Sequence, residues 1–214
     1  MRTYKLSFYS IIIFALSLVI IPLPQAVANP FELFQLDADI IRLKHLRYYG
    51  DLIEEYRAKT GSYPFMEQAN VPLYVHIASP EQEKYAQMGP PYKHKKKSFK
   101  EFVVLLEQGL QRKVLEYYDP QKVPVDKPNF YIYMANQGAY FLAVHLYQPL
   151  DFSTNISTNY NKVEISNTPT KMNRAKNPKE LFNSESFLAA ENKEILKPGF
   201  FTEREAETLN ATKQ

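Results

Sequence analysis

The chain has 214 residues, a formal net charge of +3 and no cysteine. Without cysteine it cannot form a disulfide, and it cannot be a lipoprotein, because the lipid is attached to a cysteine at the cleavage point. The near balance of 26 basic and 23 acidic side chains gives no global reason to expect nucleic acid as a partner.

The first 28 residues have the three-part layout of a secretory signal peptide. Arg2 and Lys5 form a positive start, an apolar stretch covers 11–23, and a small-x-small cleavage pattern ends at Ala28. The apolar stretch is shorter than the roughly 20 residues that a transmembrane helix needs. We therefore expect cleavage after Ala28 and a periplasmic or secreted mature protein with no transmembrane span; an uncleaved anchor is the alternative. Without Arg2 and Lys5, 24 basic and 23 acidic side chains remain.

Residues after the signal predict one long helix. Asn29 is placed as its N-cap, with Pro30 at the first helical position. Apolar side chains then recur at helical spacing in two adjacent stripes, which is typical of a helix packed on a sheet. Gly61 is placed to end the helix after Thr60 in a left-handed conformation, and Pro64 prevents a restart.

Residues 65–97 are predicted as loop around one short strand, 73–77. The loop ends in a basic run whose members are Lys93, Lys95, Lys96 and Lys97, with Tyr92 beside it. These side chains form a candidate binding element for an anionic lipid, an anionic glycan or an acidic partner. A solvated loop before a helix is the alternative interpretation.

A second helix follows the basic run. Ser98 and Glu101 form a capping box, the Ser-x-x-Glu pattern that starts helices. A regular three-to-four spacing of apolar residues then predicts a helix as far as Tyr117. Asp119-Pro120 is expected to close it.

The second half of the predicted domain has the two-residue period of strands. Residues 130–135 and 139–147 predict a hairpin, with its turn at Gly138. A polar loop is expected over 148–159, followed by a third strand over 160–166.

The last 48 residues are polar and rich in Asn and Lys, which indicates an appendage with short helices. One such helix is expected to begin at Asn177-Pro178 and another at Thr202, where a second capping box occurs. The predicted organisation is a signal peptide over 1–28, an α+β domain over 29–166 and an appendage over 167–214. The fold class is α+β, with a long N-terminal helix packed on a small antiparallel sheet, a second helix and an irregular tail.

No catalytic residue, metal site or cofactor is predicted. Glycine-rich phosphate loops and nucleophile elbows are missing from the sequence, and Glu54 and Glu55 are helix neighbours that point apart. Asp151, with Asn155 and Asn159 nearby, supplies a single carboxylate, which is a poor calcium site. The histidines show no ligand spacing and are interpreted as packing residues; they are His45, His76, His94 and His145.

The segment that closes the first helix resembles a family motif. The segment from Tyr56 to Pro64 reads Tyr-Arg-Ala-Lys-Thr-Gly-Ser-Tyr-Pro. In pseudopilins and other type IV pilin-like proteins, the corresponding helix commonly closes with a Tyr, a few residues and then Thr-Gly-x-Tyr-Pro. A second helix, an Asp-Pro, a Tyr-x-Tyr strand, a Gly turn and another strand follow in family order. The resemblance is to the periplasmic domain of the major pseudopilin of type II secretion, and it runs from Asp37 to Ser166. The residues that carry it are Tyr56, Gly61, Tyr63, Pro64, Asp119, Pro120 and Gly138.

Two departures from the family pattern affect what the resemblance implies. Pseudopilins carry a glycine at the prepilin-peptidase site inside a long apolar helix, whereas the first glycine here is Gly50. The calcium loop of the family is rich in acids, whereas the matching stretch here holds only Asp151. The resemblance therefore implies a pseudopilin-like domain that does not enter a pilus through a membrane helix.

These observations predict a non-catalytic interaction or scaffold protein, accessory to a secretion or pilus-type system, with protein partners in the cell envelope. The alternative is an envelope-associated module that binds an anionic surface through its basic run. An enzyme with an unrecognised site is a third hypothesis. The sequence gives it no support, because enzyme chemistry needs clustered titratable groups and the sequence shows none.

Overall fold

The computed structural model describes residues 30–68, 72–86, 95–168 and 174–195, with side chains from residue 34 onward. Several predictions fall outside these ranges: the signal peptide, the Asn29 cap, Tyr92, Lys93, His94 and the capping box at Thr202. The described helices are α1 (Pro30–Thr60), α2 (Pro80–Glu83), α3 (Phe99–Leu110), α4 (Pro178–Phe182) and α5 (Glu185–Glu191). The strands are β1 (Leu73–Ile77), β2 (Lys95–Lys97), β3 (Tyr131–Asn136), β4 (Ala139–Leu146), β5 (Thr154–Ser157) and β6 (Tyr160–Ser166).

The strands form one sheet in the order β2-β1-β3-β4-β6-β5. β1 and β2 run parallel, and every other neighbouring pair is antiparallel. The predicted α+β class, a long helix packed on a sheet, is confirmed. The sheet itself is mixed and six-stranded rather than small and antiparallel, because β2 and β5 extend it at its two edges.

The main core lies between the sheet and the helices. Alternate residues of β1, β3, β4 and β6 belong to one buried cluster together with side chains from α1, α3, α4 and α5. Leu46, Tyr49 and Ile53 supply the centre of the α1 face and are fully buried. The two apolar stripes of the sequence therefore do what their spacing predicts: they place α1 against the sheet.

The end of α1 and the start of α3 follow their local signals. Gly61 has a φ of 81°, and its N–H donates to the carbonyl of Arg57 at 2.8 Å, so the predicted left-handed cap is confirmed. The Ser98 hydroxyl accepts from the N–H of Glu101, whose carboxylate accepts from the N–H of Ser98 at 2.8 Å. The predicted capping box is therefore confirmed.

The predicted extension of α3 to Tyr117 is wrong, because the helix ends at Leu110 and Gln111 has a φ of 55°. The segment beyond it is held by two tyrosine hydroxyls of α1. The Tyr48 hydroxyl accepts from the N–H of Leu115 at 2.8 Å and donates to its carbonyl at 3.1 Å. The Tyr49 hydroxyl makes the same pair of bonds with Tyr117, so these contacts satisfy backbone groups that a helix would otherwise have paired.

Two further corrections concern the sheet edges. The basic run was predicted as loop, but Lys95 to Lys97 form β2, and the N–H of Lys95 donates to the carbonyl of Pro72 at 2.9 Å. The predicted polar loop 148–159 contains β5, which pairs with β6 through an irregular register. Both strands are short and polar, and they are stabilised by a neighbouring strand rather than by their own hydrophobic pattern.

The tail predicted as an appendage adds to the main core over its described part. Asn177 caps α4 as predicted, its side chain accepting from two backbone N–H groups. Leu181, Phe182 and Phe187 are buried in the same cluster as the α1 face. Within the ranges given above, no helix is both long enough and apolar enough to cross a membrane.

Candidate functional site

β2 and the start of α3 form a lysine-rich border of the sheet, named here the lysine edge and consisting of Lys95, Lys96, Lys97 and Lys100. Lys96 pairs with Glu83, and the Lys97 ammonium lies 2.7 Å from a carboxylate oxygen of Glu101. Lys95 and Lys100 are exposed and have no ion-pair partner among the described residues. The lysine edge therefore keeps two uncompensated positive charges.

The backbone of β2 is bonded on one side. Its register pairs Lys95 with Leu73 and Lys97 with Val75 of β1. The opposite side of β2 carries no further strand in the described part of the chain. Its outward N–H and C=O groups are therefore in position to pair with another extended segment.

A groove of about 610 Å³ lies at the carboxyl ends of β1 and β2, and we call it the edge groove. Ala78, Pro80, Phe99 and Tyr118 supply its apolar lining. Its polar lining consists of Glu83, Lys96, Ser98, Lys100 and Glu116. The edge groove therefore combines apolar surface with two side chains of the lysine edge.

Most of the residues that carry the family resemblance lie in turns and in the core. The carbonyl of Pro64 accepts from the hydroxyl of Tyr133 at 2.8 Å, and Tyr63 is buried against Tyr140 with ring centroids 4.7 Å apart. Gly138 occupies the hairpin turn with a φ of 85°. The Tyr56 ring packs directly against Gly109: a Cβ added at Gly109 would lie 2.3 Å from a carbon of this ring. Gly61 ends α1, and Pro120 is buried.

Asp119 has a role that the sequence did not reveal. It does not close a helix; it is fully buried and receives two hydrogen bonds from the Arg42 guanidinium, at 2.7 and 2.8 Å. A third guanidinium nitrogen donates to Asp39 at 2.7 Å. Burial alone would raise the pKa of Asp119, but Arg42 and Lys127 lower it to about 2, so this carboxylate is charged.

Lys127 brings a second cation into this buried network. Its ammonium lies 3.7 Å from Asp119 and 5.0 Å from the centroid of the Tyr147 ring. Burial and the positive charge of Arg42 lower the pKa of Lys127 to about 7. Arg42 and Lys127 thus face the buried carboxyl groups of Asp39 and Asp119, and the Tyr147 hydroxyl joins the network by donating to Gln121 at 2.8 Å. The network is closed to solvent, which makes it a clamp between α1 and residues 119–127 rather than a reaction site.

The described histidines are packing residues, as predicted. His45 lies 2.8 Å from the Tyr131 hydroxyl and stacks on Tyr117. Burial lowers the pKa values of His45 and His76 to about 4 and that of His145 to about 3. Neither ring nitrogen of His76 has a hydrogen-bond partner within the described ranges.

No group of three or more potential metal-ligating side chains occurs among the residues that the structure describes. Asp151 is exposed, and Asn155 and Asn159 lie in β5 and in the turn after it. Comparisons with protein-family models, with curated proteins and with solved structures gave no significant match.

Proposed function

We propose that this chain is a non-catalytic interaction protein of the cell envelope that binds an extended, acidic segment of a partner protein at the lysine edge. The observation that carries the proposal is the geometry of the lysine edge. Among the described residues, β2 is an edge strand whose outer backbone side is unpaired, and Lys95 in β2 and Lys100 in α3 have no ion-pair partner. The sequence layout of residues 1–28 supports export. Intact-mass measurement of the exported protein tests that step: we expect a chain beginning at Asn29, and a mass that retains residues 1–28 contradicts it.

Strand addition explains how such a segment is recognised. A peptide that pairs with the outer side of β2 gains backbone hydrogen bonds irrespective of its sequence. Its acidic side chains meet Lys95 and Lys100, and its apolar side chains reach the edge groove beside Phe99. Opposite charge also accelerates the encounter, so the lysines contribute mainly to association rate and specificity.

A role accessory to a secretion or pilus-type system is the finer part of this proposal. The helix-closing segment from Tyr56 to Pro64 and the packing of α1 on a sheet support it. Pilin-like domains work by assembling with other proteins, which agrees with an open sheet edge rather than an enclosed pocket.

A peptide series tests strand addition directly. The probes are an alternating Thr-Glu peptide, the matched Thr-Lys peptide, and a Thr-Glu peptide N-methylated at every residue, which cannot donate a backbone hydrogen bond from either edge. We expect only the unmodified acidic peptide to bind the wild-type protein. Equal binding of the N-methylated peptide would rule out strand pairing.

Matched lysine variants locate the binding surface. Lys95→Gln with Lys100→Gln removes the two uncompensated charges without breaking an ion pair of the described structure. The control replaces Lys44 and Lys193, which are also exposed and lie outside the lysine edge. We expect the first variant alone to bind the peptide more slowly and more weakly, with both melting temperatures unchanged, because exposed lysines contribute little to stability. Lysines on edge strands also prevent aggregation between sheet edges. If the wild type binds no peptide and the Lys95→Gln, Lys100→Gln variant aggregates, the two lysines protect the edge and do not bind a partner.

The anionic-surface alternative has its own test. Cosedimentation with anionic vesicles or cell-wall sacculi, at low and high salt, measures it for the wild type and for the Lys95→Gln, Lys100→Gln variant. If the wild type sediments with the vesicles or sacculi in a salt-sensitive way but does not bind the acidic peptide, the partner is a lipid or glycan surface and not a protein.

A further inference from the structure

A second open site lies between α1 and the C-terminal helices. It is a cleft of about 460 Å³, and we call it the charged cleft. From α1 it is lined by Arg47, Asp51, Glu54 and Arg57, whose spacing of four, three and three residues places them on one side of the helix. Lys179 of α4 lines the opposite wall.

Two of these side chains are already engaged by the protein. The Arg47 guanidinium donates to Glu191 at 2.7 and 2.9 Å and to the carbonyl of Phe182 at 2.8 Å, so it fastens the C-terminal helices to α1. One carboxylate oxygen of Glu54 accepts from the Tyr140 hydroxyl at 2.9 Å. Its other oxygen has no hydrogen-bond donor within the described part of the chain.

The remaining charged groups are available. Asp51 makes no hydrogen bond or close ion pair with any described residue, and neither does the ammonium of Lys179. The Arg57 guanidinium lies 5.0 Å from the centroid of the Tyr63 ring, and both side chains line the cleft. Partial burial, followed by the charges of Glu191 and Glu54, raises the pKa of Asp51, although Arg47 opposes the shift. Because the Arg47 guanidinium is bonded to Glu191, the Asp51 carboxylate has no direct cation partner among the described residues, and the ammonium of a ligand can take that place.

We propose that the charged cleft binds a small zwitterion of the amino-acid or short-peptide class. The ligand ammonium lies against Asp51 and the free oxygen of Glu54, and its carboxylate lies against Arg57 and Lys179. These four side chains carry two negative and two positive charges, which complements a ligand with one charge of each sign. The volume of the cleft lies in the range of small-molecule pockets. This inference goes beyond the proposed function, since the charged cleft shares no lining residue with the lysine edge.

Three probes distinguish the two halves of the recognition. They are the dipeptide Ala-Ala, its N-acetylated form, which lacks the ammonium, and its C-terminal amide, which lacks the carboxylate. We expect saturable amide NMR shifts at Asp51 and Lys179 with Ala-Ala at millimolar concentration. Each capped form should bind roughly tenfold more weakly, because each loses one charge-assisted contact.

Two matched variants complete the test. Asp51→Asn removes the available carboxylate at nearly constant volume, and Asp151→Asn makes the same change at an exposed position outside the cleft. We expect Asp51→Asn to weaken Ala-Ala binding by roughly tenfold or more and Asp151→Asn to leave it unchanged. The absence of saturable shifts in the wild type, or equal affinities of wild type and Asp51→Asn, would overturn the proposal. If Asp51→Asn fails to fold, the capped probes decide the question on the wild type: equal binding of all three overturns it.

Discussion

Replacing Arg42 by Met is the sharpest test of the buried ion network. The guanidinium makes four hydrogen bonds, to Asp119, Asp39 and Gln121, over distances of 2.7 to 3.3 Å. The substitution leaves Asp119 fully buried, with the Lys127 ammonium at 3.7 Å as its nearest described cation. Removing one partner of a buried pair costs about 3–5 kcal/mol, since an uncompensated charge remains in the interior. That is a large share of the roughly 5–15 kcal/mol that stabilises a typical domain.

Urea unfolding at neutral pH measures this cost, and Arg112→Met is the matched control. Arg112 lies 2.6 Å from Glu55 in an exposed pair, so we expect its replacement to move the unfolding midpoint only slightly. The double variant Arg42→Met, Asp119→Leu should lose less stability than the two single variants added together, because it removes both opposite charges. Equal midpoints for Arg42→Met and Arg112→Met would refute the view that the network clamps the fold.

Two further predictions concern acid stability and the end of α1. The pKa values of His45, His76 and His145 are lowered to about 4, 4 and 3, so the unfolded state binds more protons than the folded state below about pH 6.5. The free energy of unfolding should therefore fall as the pH drops from about 6.5 to about 4, by up to about 1.4 kcal/mol per pH unit for each histidine. His76→Phe should flatten this dependence, and a slope equal to that of the wild type would contradict it. Gly61→Ala should cost about 1–2 kcal/mol through left-handed backbone strain alone, since a Cβ at this position meets no atom within 4 Å, and Gly61→Asn should cost less. An unchanged denaturation midpoint for Gly61→Ala would contradict the cap.

The features that the sequence predicted well depend on residues close together in the chain. The cap at Gly61 uses a bond to a residue four positions earlier, and the Ser98 box closes over three. The Gly138 hairpin likewise needs only a turn between two alternating segments. Local signals of this kind act before any tertiary contact forms, which is why propensity and spacing alone locate them.

The features that it missed depend on distant partners. Apolar spacing carries α3 to Tyr117, but hydroxyl groups 67 and 68 residues earlier hold that segment extended. Arg42 lies between Ile41 and Leu43 in α1, and nothing near it indicates a carboxylate partner 77 residues away. The lysines of β2 have no strand pattern of their own, and their pairing with β1 alone makes them a strand. The charged cleft was missed for the same reason, since its two walls are far apart in the chain.

The charges of the two proposed sites differ in a way that separates them without any mutation. The lysine edge has uncompensated positive charge, whereas the four available charges of the charged cleft cancel. Exposed charges are screened beyond about 10 Å at 0.1 M salt. Binding of the acidic peptide depends on several exposed charges along an extended surface, so it should weaken steeply as salt rises. Binding of Ala-Ala depends on short contacts of each charged end with two side chains of opposite sign in a partly enclosed space, so its affinity should fall much less as salt rises. Titrations of both probes against the wild-type protein at low and high salt measure this difference. Equal salt dependence of the two probes would contradict this difference in charge between the two sites.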